Sequence, residues 1–313
     1  MLYLTILFGQ FGQTNIMKKG FYLLFFAFVF QLQSLAQTSN DALIFASHKK
    51  DTLYFTKPKL LKTLGDFPSN MFGIAKTPFK GDNWIGTVAM AQGTLVLITQ
   101  DQYFTNWVKK ESSKMGLSPL TKYKNIVSIG GVRIIKAPTN LNSALYQLGE
   151  GGTSMILAGG LWIYGKIHDD WRAQQTAYDL GETFISMGLT TQILKRISGR
   201  QSPFVAARPG GMWHPLPAFR DYQDHTPYYD SYPSGHLSTM MATVTVMKEN
   251  YPEKKWIAPV GYSLIGLTGW AMVNTEVHWL SDYPLALAIG YLSGKLTTMK
   301  HRKPNPNARM IIL

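Results

Sequence analysis

Beyond residue 140, apolar positions recur at helical spacing in blocks separated by polar or proline-rich breaks. Thr153 to Ile167 is apolar, with Gly159-Gly160 inside it. Asp170 to Ile197 alternates polar and apolar groups with a helical period and holds no proline. His236 to Asn250 reads as a further helix, ended by Tyr251-Pro252. Trp256 to Thr275 is free of charge, and Ser281 to Thr298 closes the series. Ser281 or Asp282 can cap that last helix, with Pro284 in its first turn, where a missing N–H costs nothing. Residues 198–232 form a long connection rich in proline and aromatics, and a long structureless loop in a compact domain is usually functional. The pattern predicts an all-α fold, a helical bundle over residues 140–298 with a site built between facing helices.

The chain before residue 140 is less regular. Lys49 to Asp82 is rich in Lys, Pro, Gly and Thr and reads as loops and short elements. Asn83 to Gln100 carries no charge and predicts a buried helix; its Gly, Thr and Gln content weighs against a membrane span. Residues 37–139 are therefore an N-terminal region without an assigned fold. At the start, Met17-Lys18-Lys19, an apolar run from Gly20 to Leu32 and Ser34-Leu35-Ala36 have the form of a secretory signal peptide over residues 1–36, with Met17 as initiator. That expectation places the protein in the periplasm or outside the cell. An uncleaved anchor, which would make it membrane-associated, is the competing reading. Residues 299–313 form a basic tail.

Composition adds a direction. Lys and Arg outnumber Asp and Glu by 31 to 18, a net charge of +13, which favours anionic partners: a phosphorylated small molecule or lipid, or a membrane surface. No run of basic residues is interleaved with aromatics, so nucleic acid is not expected. With no cysteine, disulfides, thiolate nucleophiles and cysteine-based zinc sites are excluded. His168-Asp169-Asp170, His214 and His225 follow no metal-ligand spacing, and neither a metal nor another cofactor is expected. Oligomeric state has no signal.

Three segments carry candidate chemistry: Lys195 to Pro203, Tyr232-Pro233-Ser234-Gly235-His236, and His278 to Asp282. In the second, Pro and Gly turn sharply into a helix whose first amides and positive dipole end attract an anion. His236 stands at that edge, able to exchange a proton near neutral pH. In the third, His278 lies four residues before Asp282, a spacing that puts both on one face. A carboxylate accepting from one imidazole nitrogen leaves the other as a nucleophile. Each segment alone is also compatible with an ordinary capped helix or a surface pair.

Together, in this order, they resemble the type 2 phosphatidic acid phosphatase and vanadium haloperoxidase superfamily, whose pattern runs Lys-x6-Arg-Pro, Pro-Ser-Gly-His and Ser-Arg-x5-His-x3-Asp. Lys195 and Pro203 fit the first motif, residues 233–236 the second, and His278 and Asp282 the third. The resemblance implies that His278 attacks phosphorus to form a phosphohistidine, Asp282 orients it, and His236 protonates the leaving oxygen. It implies that Lys195, the Ser234 hydroxyl and the Gly235 amide hold the phosphoryl oxygens, with no metal. Two positions depart from the pattern: its arginines fall at Ser202 and Met272. Neither replacement can imitate a guanidinium fork. Arg200, after Ser198-Gly199, is the expected substitute, ahead of Arg196 and Arg208. Trp213, Phe219, Tyr222, Tyr228 and Tyr229 either line a substrate mouth or pack the loop. The expected activity is hydrolysis of phosphate mono- or pyrophosphate esters, lipid-linked ones included. The alternatives are a member that binds phosphate or lipid head groups without turnover, and a vanadium haloperoxidase.

Overall fold

The structure, a computed structural model, describes residues 43–46, 51–59, 65–129, 132–300 and 302–304. The signal-peptide segment 1–36 and most of the basic tail lie outside the described residues. The chain runs β1 (Leu43–Ala46), β2 (Asp51–Phe55), α1 (Phe67–Lys76), α2 (Asn83–Lys114), β3 (Tyr123–Ile129), β4 (Val132–Pro138), α3 (Leu141–Leu148), α4 (Gly151–Ile167), α5 (Trp171–Ser198), α6 (Phe219–Asp224), α7 (Gly235–Asn250), α8 (Ile257–Asn274), α9 (Tyr283–Met299) and β5 (Arg302–Pro304). Strands β1, β2 and β5 form a small antiparallel sheet, and β3–β4 an antiparallel hairpin. The fold is all-α apart from these, as the periodicity predicts, and the helices beyond residue 140 fall close to the expected blocks.

Local chemistry sets the ends of the helix that carries Lys195. Asp170 accepts from the Ala173 amide at 3.0 Å and caps α5. Gly199 ends α5 at φ +55°, and a side chain there would collide with the His214 carbonyl. The two inner helices α7 and α9 pack closely because Gly290 faces the backbone of Ser238 and Ala242. Apolar residues fill the seams: Leu180, Val246, Tyr251 and Ile257 in one cluster; Leu237, Val244, Ile265, Met272 and Ala286 in another. The bundle therefore holds fixed the three points where the motif segments emerge.

Helix α2 departs from expectation. The uncharged stretch 83–100 is helical, but the helix continues to Lys114, and Trp84, Ile85, Leu95 and Val96 are exposed. Its buried positions concentrate in the later half, at Asp101, Thr105, Val108 and Ser112. There α2 meets the turn Leu280–Asp282 and helix α8, and a helix buries only the face that meets a partner. No helix among the described residues is long and apolar enough to cross a membrane. The connection 198–232 is not structureless. Single turns at Pro203–Val205 and Thr226–Tyr228 and helix α6 interrupt it, and Arg200 forms backbone bridges to Trp213 and Asp230.

Candidate active site

The three motif segments meet at one end of α7. The Tyr232–Pro233 peptide is cis, and Ser234 follows as the cap of α7, its hydroxyl accepting from the Leu237 amide at 3.4 Å. Ser234 donates its own amide to the Asp282 carbonyl at 3.1 Å, which ties the second motif to the third. Lys195 reaches in from the last turn of α5. A Cβ added to Gly235 would stand 3.9 Å from the Lys195 ammonium, so this cation overlies the α7 N-terminus. It is buried and pairs with Asp230 at 3.1 Å.

The two imidazoles face each other, ring centres 6.0 Å apart at 69°. His278 Nδ1 lies 2.8 Å from the Ser231 carbonyl and 3.4 Å from Asp282 Oδ2. A carbonyl only accepts, so Nδ1 carries the proton and Nε2 holds a lone pair. The partner that fixes the tautomer is thus chiefly the Ser231 carbonyl, whereas the spacing assigned this to Asp282 alone. The Asp282 carboxylate is nonetheless held firmly. Oδ2 accepts from the Ser231 hydroxyl at 2.6 Å and the Trp279 amide at 2.8 Å, and Oδ1 accepts from Arg200 Nη1 at 2.6 Å. Burial alone would raise its pKa; the Arg200 charge and the donors from His278 and Ser231 outweigh burial and hold it below the ordinary carboxylate value. Asp282 sits in the N-cap position of α9 but makes no side-chain cap there, because its oxygens are committed to the site.

His236 packs on Tyr146 with ring centres 4.5 Å apart, and its buried Nε2 has no hydrogen-bond partner among the described residues. Burial first, then His278 and the charges of Lys195 and Lys136, push its pKa down to about 3. The ring is therefore neutral at pH 7. A bound phosphate dianion would offset those cations and favour a protonated His236, so the proton and the substrate arrive together.

Arg200 does not take the place the sequence assigns it. Its guanidinium is fully buried behind Asp282, with Nη1 donating to Asp282 and to Ser281 and Nη2 to Asp101 at 2.6 Å and to the Gly210 carbonyl at 2.8 Å. Only Nε lacks a partner among the described residues. Two carboxylates outcompete a transient anion for this cation, so Arg200 braces Asp282 and does not grip phosphate. Arg196 is drawn away over the rings of Tyr222 and Phe219. Tyr222 is buried and Trp213 lies over Arg200, so these two aromatics pack the loop; Phe219 is exposed. Met272, in an arginine position of the pattern, is buried with its sulfur 3.9 Å from the Ser234 hydroxyl. Ser202, in the other, is buried and its amide is spent on the Pro227 carbonyl.

Sequence reasoning missed Ser231, Asp230, Asp101, Tyr146 and Lys136. Ser231 and Asp230 adjoin a recognised motif, but nothing in their spacing announces a role. Asp101, Lys136 and Tyr146 come from α2, β4 and α3, far away in the chain, and only folding brings them near.

Residues 176–305 match the family model of the PAP2 superfamily. Over 68 residues the chain is 35% identical to a lipid A 1-phosphatase from Porphyromonas gingivalis, covering 21% of this chain and 15% of that protein. It thus spans under a sixth of that relative's length. A transmembrane PAP2-type phosphatidylglycerolphosphate phosphatase from Bacillus subtilis aligns over 67% of this chain and 92% of its own, with 16% identity and a TM-score of 0.37.

Proposed function

We propose that this protein is a phosphoric ester hydrolase that uses His278 as nucleophile on phosphate mono- or pyrophosphate esters, with lipid-linked substrates favoured. The observation that carries this reading is the His278 tautomer: with Nδ1–H held by Ser231 at 2.8 Å, the Nε2 lone pair is available opposite His236. Nε2 attacks phosphorus; the bond from phosphorus to the leaving oxygen breaks, and His236 gives that oxygen a proton. Water then attacks the phosphohistidine, His236 takes a proton from the water, the N–P bond breaks, and inorganic phosphate leaves. Lys195, the Gly235 amide and the α7 dipole stabilise the charge on the phosphoryl oxygens, and Asp282 offsets the positive charge that grows on His278.

Lipid-linked substrates are favoured by the net charge of +13, by the activity named for the Porphyromonas gingivalis relative, and by exposed Trp84, Ile85, Leu95, Val96, Ile156 and Ile163, which suit a membrane surface. A site outside the cytoplasm follows from the signal-like start. A reading as a binding protein without turnover is favoured by one observation: both arginine positions of the pattern carry uncharged, buried side chains, Ser202 and Met272.

One assay decides. The purified protein and His278→Ala are compared on a generic phosphomonoester and on a lipid pyrophosphate in detergent. Turnover that falls to background in the variant is expected. Equal background rates for both proteins, with phosphate still bound, would leave the binding reading in its place.

A further inference from the structure

Asp101 is a fully buried carboxylate on α2, outside the segment 176–305 and about 100 residues before the first motif. A carboxylate is kept out of water only where something holds it. Here Oδ1 accepts from the Ser281 amide at 3.0 Å, and Oδ2 accepts from the Ser281 hydroxyl at 2.5 Å and from Arg200 Nη2 at 2.6 Å. The same Ser281 hydroxyl accepts from Arg200 Nη1 at 2.6 Å, and Nη1 also serves Asp282. One guanidinium thus bridges two carboxylates, and the nearer one backs His278. Among the described residues, no hydrogen bond or ion pair joins Asp101 to the phosphate cradle at Lys195, Ser234 or Gly235.

This placement has an electrostatic consequence. Attack on phosphorus through Nε2 puts positive charge on the His278 ring, and the Asp282 carboxylate stabilises it. Arg200 alone beside Asp282 would cancel that carboxylate. A second carboxylate on the far side of Arg200 balances the guanidinium and leaves Asp282 with a net negative field toward the ring. It also fixes the turn Leu280–Asp282 by two bonds, which sets where Asp282 points.

We infer that Asp101 is a positioning residue for His278, acting through Arg200, Ser281 and Asp282, and that helix α2 is therefore part of the working site. The inference rests on His278 being the nucleophile, and the test separates the two. Wild type, His278→Ala, Asp101→Asn and Ser281→Ala are compared in the full chain. Asparagine is isosteric but turns an amide NH2 toward existing donors and removes the charge. Because it leaves Arg200 half-paired, Asp101→Asn can cost folding; Ser281→Ala removes the hydroxyl from the same network while keeping the Ser281 amide bond and the ion pair.

The expected result is a kcat lowered roughly 10- to 100-fold, the size found when an outer partner that orients a histidine ligand is lost. KM should stay within about twofold, since Asp101 touches no part of the phosphate cradle. The 15N shifts of the His278 ring give a second readout that needs no turnover: the Nδ1 shift should move in the variants, because Asp282 Oδ2 lies 3.4 Å from that nitrogen. Unchanged kcat and unchanged ring shifts in whichever variant folds would overturn the role of Asp101. Turnover that survives His278→Ala would overturn the nucleophile itself, and the ring shifts would still report whether Asp101 orders that imidazole.

Discussion

Met272 stands where the superfamily pattern carries arginine, and its surroundings show why the change is stable. It is fully buried in the apolar cluster of Leu237, Val244, Ile265 and Ala286, with the Ser234 hydroxyl 3.9 Å from its sulfur. Restoring the pattern with Met272→Arg places a cation in that apolar cluster. Thermal denaturation should show a loss of about 3 kcal/mol or more. Inorganic phosphate should recover more of that loss in the variant than it adds to wild type, because a bound anion pairs the new charge. Equal stabilisation by phosphate in both proteins would mean that position 272 does not reach the anion site. The same scale explains Arg200. The sequence offered it as a loose cation next to the first motif, but the carboxylates of Asp101 and Asp282 flank it on both sides.

Three element ends form the site: the last turn of α5, the first turn of α7 and the turn that leads into α9. Their convergence depends on α7 and α9 lying close enough for Ser234 and Asp282 to share a backbone hydrogen bond. Gly290 permits that approach. A Cβ there would come within 2.9 Å of Met241 Cβ and 3.0 Å of the Ala242 amide, contacts that neither partner can relieve without moving the helix. Gly290→Ala should therefore destabilise the fold by about 1–3 kcal/mol, read by chemical denaturation. Wild-type stability in this variant would show that the two helices tolerate a wider spacing.

Across the whole molecule, polar groups buried between helices tie the bundle together far from the site. Glu182 of α5 is fully buried, accepts from Asn70 of α1 and pairs with Lys300 at 2.7 Å. Burial, set against the Lys300 charge, pushes its pKa up to about 7. A carboxyl group raised in the folded state keeps its proton between the ordinary carboxylate range and pH 7, where the unfolded chain has already lost it. Stability should therefore fall as pH rises across that window, by at most about 1.4 kcal/mol per unit for this group. Glu182→Gln should flatten the decline in denaturation measured from pH 5 to 8. A slope unchanged by the substitution would assign it to other groups.

What the sequence determined by itself is local. Helical period, the turn at Pro233-Ser234-Gly235 and the spacing of His278 and Asp282 involve residues within a turn or two of one another, so each could be read in order along the chain. The all-α class and the three motif segments followed from that. The partners of these groups were decided only in three dimensions. The exposed half of α2, the Ser231 carbonyl under His278, the capture of Arg200 by Asp101 and the packing of Tyr146 on His236 join residues many turns apart. Burial and charge pairing are set by what happens to lie across a helix interface, and no local pattern encodes that.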